Sequence, residues 1–213
     1  MPSPAPFFLF APGAGAPSTS AWMQAWARRL ATLGEVMTFD YPYMRQGRKA
    51  PDRPPVLLAA HAAALDDARR RATGPIILIG KSMGSRIGCH VAAELVAGGG
   101  DPSLRLVCLG YPLVSGSSGA LRDQVLLQLR SPILFVQGTR DPLCPLDRLA
   151  EVRPRMTAPN HLFVVEGGDH SLVLSAAQRK QSGTTQADSD AAVLEAIRAF
   201  AVEHDASNGA VRR

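Results

Sequence analysis

Ile76-Ile77-Leu78-Ile79-Gly80-Lys81-Ser82-Met83-Gly84-Ser85-Arg86 decides the fold. Its first four residues are apolar and mostly β-branched, the composition of a buried strand. The residues from Arg86 through Leu95 read as a helix. Between strand and helix stands Gly80-Lys81-Ser82-Met83-Gly84, a G-x-S-x-G motif in the strand–turn–helix context that gives it meaning. The turn is too sharp for bulky neighbours, so glycines flank the serine. The serine is held in strained backbone geometry, with its hydroxyl projecting from the end of the sheet.

Five further strand patterns surround this one: Phe7 to Ala11, Val36 to Phe39, Leu104 to Leu109, Ile133 to Gln137 and Asn160 to Val165. Helical patterns separate them, at Ser18–Leu33, Val56–Ala72, Leu146–Met156 and Ala191–Glu203. A shorter helical segment covers Ala120 to Leu129, whereas Ser171 to Asp190 is polar and reads as irregular. Short, continuously apolar strands alternating with helices predict an α/β fold. The expected architecture is a mainly parallel open sheet of about six strands with helices on both faces. The chain has 213 residues, shows no internal repeat or linker, and reads as one domain with loose tails at 1–5 and 206–213.

Composition narrows the function classes. Hydrophobic residues make up 46% and charged residues 19%, a globular, soluble balance. The net charge of +5 is scattered, and only 6% of residues are aromatic, which argues against nucleic-acid binding. No apolar run is long enough to span a bilayer, and the start of the chain lacks a signal-peptide pattern. Cys89, Cys108 and Cys144 are odd in number and lack metal-ligand spacing. They point to a reducing compartment, with the cytoplasm as default, and to no structural metal.

A serine hydroxyl needs a base, and the base needs a group that fixes its tautomer. In an open α/β sheet such groups belong at the carboxyl ends of strands. Ser82, Asp141 and His170 each follow a strand, in the order that accompanies a G-x-S-x-G turn. His61, His90, His161 and His204 fall within helices or at a strand start, so His170 is the expected base. Asp141 competes with Asp169, Asp147 and Asp40. Asp169 adjoins His170 and faces it awkwardly, Asp147 suits a helix cap, and Asp40 precedes the serine. An acyl-transfer oxyanion would need two N–H donors. Met83 is the first candidate, and Ala14 is the second, from the small-residue loop Pro12-Gly13-Ala14-Gly15-Ala16. Gly13 and Gly15 are weaker candidates in the same loop. Lys81 and Arg86 could bind an anion, although a structural ion pair is the stronger expectation for each. Tyr41, Tyr43 and Tyr111 follow strand ends and are candidates for lining a pocket.

These residues resemble the α/β-hydrolase superfamily, and within it the small dienelactone-hydrolase-like members. The elbow Gly80 to Arg86 is most similar to the group named for testis-expressed protein 30 and the third subunit of the NSL complex. Pro12 to Gly15, Gly138 to Pro142 and Gly168 to Leu172 carry the rest of the resemblance. It implies a sheet of which this chain keeps the later six strands, and a triad of Ser82, Asp141 and His170. Dienelactone hydrolases proper use a cysteine where this chain has Ser82, so their substrate does not transfer. The segment between the fourth and fifth strands is short, which implies little or no lid. The expected activity is that of a serine hydrolase acting on carboxylic esters or related small acyl compounds, without metal or organic cofactor. A non-catalytic scaffold that keeps the fold is the alternative, and a peptidase or amidase ranks below both.

Overall fold

A computed structural model describes residues 4–98, 104–116 and 118–208, with side chains described to residue 202. Among the described residues, six strands and eight α-helices follow in chain order: β1 (Phe7–Ala11), α1 (Ala21–Leu30), β2 (Glu35–Thr38), α2 (Pro42–Arg45), α3 (Pro54–Arg71), β3 (Ile76–Lys81), α4 (Met83–Ala97), β4 (Arg105–Leu109), α5 (Gln124–Gln128), β5 (Ile133–Gly138), α6 (Leu146–Val152), β6 (Asn160–Val165), α7 (Ala176–Ser182) and α8 (Gln186–Asn208). The six strands form one sheet in the order β2-β1-β3-β4-β5-β6. Every neighbouring pair is parallel. The expected α/β architecture is therefore the observed one.

Successive side chains on a strand point to opposite faces, and here both faces are apolar. Phe7, Leu9, Leu78, Leu106, Cys108 and Phe135 face one layer, closed by Leu65 and Ala68 of α3, Val91 and Ala92 of α4, and Leu149 of α6. Phe8, Phe10, Ile77, Ile79, Val107 and Val136 face the other, closed by Met23, Trp26 and Leu30 of α1 and by Val193, Ile197 and Phe200 of α8. Each such fully buried side chain contributes roughly 1.5–3 kcal/mol of transfer free energy. Among the described residues, no helix is long and apolar enough to cross a membrane.

The strand order reverses at β1. The chain first steps outward to β2, then returns to β3 on the other side. Crevices for ligands open at the carboxyl ends of strands beside such a reversal. The register sets Ala11 opposite Gly80 and Lys81 opposite Leu109. The loops after β1, β3 and β4 therefore leave the sheet side by side.

Expectations change in two places. The polar segment 171–190 is not irregular, because it holds α7 and the start of α8. Ser175 caps α7 by accepting the Gln178 N–H. Thr185 and Asp188 exchange hydrogen bonds at the start of α8, a reciprocal cap in a stretch too polar to show helical periodicity. Parts of both expected tails also fall within the described residues. The Ala5 carbonyl packs against Gly74, leaving no room for a side chain there, and α8 runs on to Asn208. Residues 1–3 and 209–213, expected as loose, lie outside the described residues.

Candidate active site

Gly80 and Gly84 make the turn around Ser82 possible. A Cβ on Gly80 would stand 2.3 Å from the Ser85 nitrogen, and one on Gly84 would stand 2.6 Å from the carbonyl oxygens of Ala11 and Pro12. No real Cβ tolerates such approaches to backbone. Between these glycines Ser82 adopts φ 50°, ψ −114°, an unfavourable region for a residue with a side chain. Its carbonyl accepts the N–H groups of Ser85 and Arg86, which starts α4, and also the Ser85 hydroxyl at 2.6 Å.

The strained turn aims Ser82 Oγ at His170 Nε2, 2.8 Å away. His170 Nδ1 in turn lies 2.8 Å from Asp141 Oδ2. Asp141 follows β5 and His170 follows β6, so three strand ends meet. Asp141 is only 2% exposed, yet its carboxylate is fully engaged. Oδ1 accepts the Leu143 N–H at 2.8 Å, and Oδ2 also accepts from the Gln137 amide at 3.2 Å. Gln137 is itself buried and accepts the Tyr111 N–H at 2.5 Å. A carboxylate held this way can only accept from Nδ1, which leaves Nε2 facing the serine as a proton acceptor.

The turn carrying His170 is held from several sides. Asp169 does not face the imidazole. Its Oδ1 accepts the N–H groups of Ser171 and Val173 at 2.7 and 3.0 Å, which closes the loop. Lys81 Nζ donates to the His170 carbonyl. Its ammonium also lies 5.6 Å from the Trp22 ring centroid. Burial lowers the Lys81 pKa to about 8, with Asp141 and Asp169 opposing that shift.

An open groove of about 400 Å³ runs over this centre, lined by Gly13, Ala14, Gly15, Trp22, Ser82 and His170 among others. Gly13, Ala14, Gly15 and Lys81, expected as candidates for the oxyanion site or for binding substrate, all line this groove. Met83 is the first residue of α4, so its N–H has no acceptor within the helix. Ala14 is fixed through its carbonyl, which accepts the Tyr43 hydroxyl at 2.9 Å.

Other expectations fail. Tyr41 and Tyr111 are fully buried and do not line the groove. The Tyr41 hydroxyl pairs with His61 Nδ1 at 3.0 Å, and Tyr111 donates to the Arg122 carbonyl at 3.3 Å. Tyr111 packs in the first apolar layer, and Tyr41 packs in a separate cluster with Tyr43, Leu57 and Ile87. Neither Lys81 nor Arg86 forms an ion pair among the described residues; Arg86 reaches His90 Nε2 at 3.4 Å instead. Cys144 lies beside Asp141, but burial and that neighbouring carboxylate push its thiol up to about 12, far from a thiolate. Sequence reasoning also missed parts of the site. Gln137 was a readable signal, as the one polar side chain in an apolar strand. Trp22 could not be told from a core residue of α1 by periodicity.

Residues 4–202 match the family of the α/β hydrolase domain. The chain belongs to that family. Solved structures agree on the fold. The α/β hydrolase resembles a dienelactone hydrolase from Anabaena variabilis, with a TM-score of 0.65 and 16% identity over 94% of this chain and 87% of that one. It resembles Est1E from Butyrivibrio proteoclasticus, determined with ferulic acid bound, with a TM-score of 0.65 and 16% identity over 96% and 91%. It also resembles BorB, a type II thioesterase of the borrelidin biosynthetic cluster, with a TM-score of 0.61 and 19% identity over 91% of each chain. Membership of that family supports a hydrolase, while the neighbours, at these identities, show the fold alone.

Proposed function

We propose that this protein is a serine hydrolase of carboxylic esters or thioesters of small acyl compounds. The observation that carries this reading is the hydrogen-bonded series from Ser82 through His170 to Asp141, with both contacts at 2.8 Å, beneath an open groove. Ser82 Oγ attacks the acyl carbon and passes its proton to His170 Nε2. Asp141 stabilises the imidazolium formed. The N–H groups of Met83 and Ala14 receive the negative charge on the carbonyl oxygen. Collapse of the intermediate expels the alcohol or thiol, which takes the proton from His170. Water then repeats the cycle on the acyl-enzyme, giving its proton to His170, which returns one to Ser82. No metal or organic cofactor enters any step.

Two narrower readings accompany this one. The Gly80 to Arg86 elbow supports membership of the group named for testis-expressed protein 30 and the third NSL subunit. The three free thiols support residence in a reducing compartment such as the cytoplasm. The proposed partner is a small acyl substrate, not nucleic acid or a membrane.

A fluorophosphonate probe tests the central claim. The wild-type chain should be labelled on Ser82 and should hydrolyse short-chain p-nitrophenyl esters, whereas Ser82→Ala should do neither. Labelling that survives in Ser82→Ala would place the nucleophile elsewhere. A folded wild type that resists the probe would favour the scaffold alternative.

A further inference from the structure

Ser82 stands between two grooves. The first, described above, contains His170. The second, of about 390 Å³, shares Ala14, Ser82 and Leu143 with the first, but contains Arg86 and Arg122 instead of His170. Met83 lines this second groove as well. If Ser82 is the nucleophile, the chemistry assigns an end of the substrate to each groove. The leaving group must reach His170 to collect its proton, so it occupies the first. The acyl chain then extends from the carbonyl into the second.

Two guanidinium groups in one groove call for an explanation. Neither Arg86 nor Arg122 forms an ion pair among the described residues. The acidic residue that lines the groove with them, Asp52, is already engaged. Its Oδ1 accepts from Arg48 at 2.5 Å, and its Oδ2 accepts the Tyr43 N–H at 3.0 Å. Arg86 is steadied by His90, a ring that burial and Arg86 itself keep toward the neutral form. Arg122 is held below its usual basicity by burial first and by the Arg86 charge second. Two half-buried like charges that disfavour each other are relieved by an anion placed between them. Guanidinium forks suit carboxylate or phosphate oxygens better than any neutral group.

We propose that Arg86 and Arg122 form an anion subsite for the acyl half of the substrate, so that the preferred substrates carry a carboxylate or phosphate at the far end of the acyl chain. This rests on the hydrolase reading and narrows it to monoesters or monothioesters of diacids, or to phosphorylated acyl groups. The cleavage itself is unchanged, and the distal anion takes no part in bond making.

The test compares p-nitrophenyl esters of diacids of four to eight carbons with the same esters methylated at the free carboxylate, and with phosphonate-terminated counterparts. At the best chain length the anionic ester should exceed its methyl ester by about tenfold or more in kcat/KM, as expected for charge-assisted pairing. Carboxylate and phosphonate arms identify which anion fits. Arg86→Gln and Arg122→Gln should each reduce that preference at least several-fold, read as the ratio of anionic ester to methyl ester within each variant, and Arg86→Lys should keep part of it. Raising the salt concentration should shrink the preference in wild type but not in the double Gln variant. A wild type that labels on Ser82 and cleaves both esters equally would overturn the subsite and leave the hydrolase reading intact. So would a preference that survives in the double variant. A wild type that does not label at all would remove both.

Discussion

Lys81 Nζ donates to the main-chain carbonyl of His170. The neighbouring Ser82 hydrogen-bonds the imidazole of the same histidine, so two adjacent residues hold His170 by its backbone and by its side chain. The conformational strain at Ser82 and the position of its proposed base are thus set by one turn.

Lys81→Met keeps an apolar stem in place but removes the donor. Misplacing a reacting group by about an ångström can cost on the order of 100-fold in rate. The expected outcome is a kcat loss of about 10- to 100-fold with little change in KM, because Lys81 is a positioning residue and not a binding one. Steady-state kinetics on a short-chain ester would check it, and Lys81→Arg should recover part of the loss. An unchanged kcat would mean that Asp169 and the loop hydrogen bonds hold His170 without Lys81.

Asp141→Asn keeps the size of the buried side chain but disturbs its role. The amide can still meet the Leu143 N–H, yet it no longer presents a charged acceptor to Nδ1. On the proposed mechanism kcat should fall by roughly 10³- to 10⁴-fold, and labelling of Ser82 should slow in parallel. A loss below tenfold would separate Asp141 from the chemistry and leave it a structural carboxylate.

Gly84→Ala and Gly15→Ala make a matched pair. The new methyl at position 84 would meet the Ala11 and Pro12 carbonyls at 2.6 Å, and backbone cannot step aside. At position 15 nothing lies within 4 Å. Overpacking of this kind costs about 1–3 kcal/mol, so urea denaturation should show that loss for Gly84→Ala and almost none for Gly15→Ala. Esterase activity should fall with the former and persist with the latter.

The parts of the site that were legible in the sequence are those encoded locally. A β-branched run, two glycines at fixed spacing and a reactive residue after each strand are neighbours in the chain, and together they locate Ser82, Asp141 and His170. The direction of a loop side chain is not encoded that way. Tyr111 and His170 both follow strand ends, but Tyr111 turns into the core and His170 turns to the serine. The contacts that decide such directions span long stretches of chain, as in Tyr43 to Ala14, 29 residues apart, and Tyr111 to Gln137, 26 apart. The pairing of Arg86 with Arg122 across one groove has the same origin. It depends on where the loop after β4 folds back, which no periodicity records. The helices of 171–190 escaped for a different reason, since their stability comes from caps and their faces are mostly polar.

His61 offers a test of the core beneath the site. It lies fully buried on α3, edge-on to Phe39 at 5.1 Å between centroids, with Nδ1 paired to the Tyr41 hydroxyl. Its Nε2 is buried without a partner, beside Gly88. Burial pushes the His61 pKa from 6.5 down to about 3, so the folded state keeps the ring neutral where the unfolded chain would already bind a proton. The sign follows directly. The contribution of neutral His61 is fully present above pH 6.5 and is lost as pH falls from there toward 3. One such proton removes about 2 kcal/mol of stability by pH 5. Urea denaturation at pH 7.5, 6 and 5 should therefore show wild type weakening more steeply than His61→Gln, which cannot titrate in this range. Tyr41→Phe should be less stable at every pH by about 1 kcal/mol, the net worth of one hydrogen bond, while keeping the steep wild-type slope. Equal slopes for wild type and His61→Gln would show that the acid sensitivity of the fold arises elsewhere.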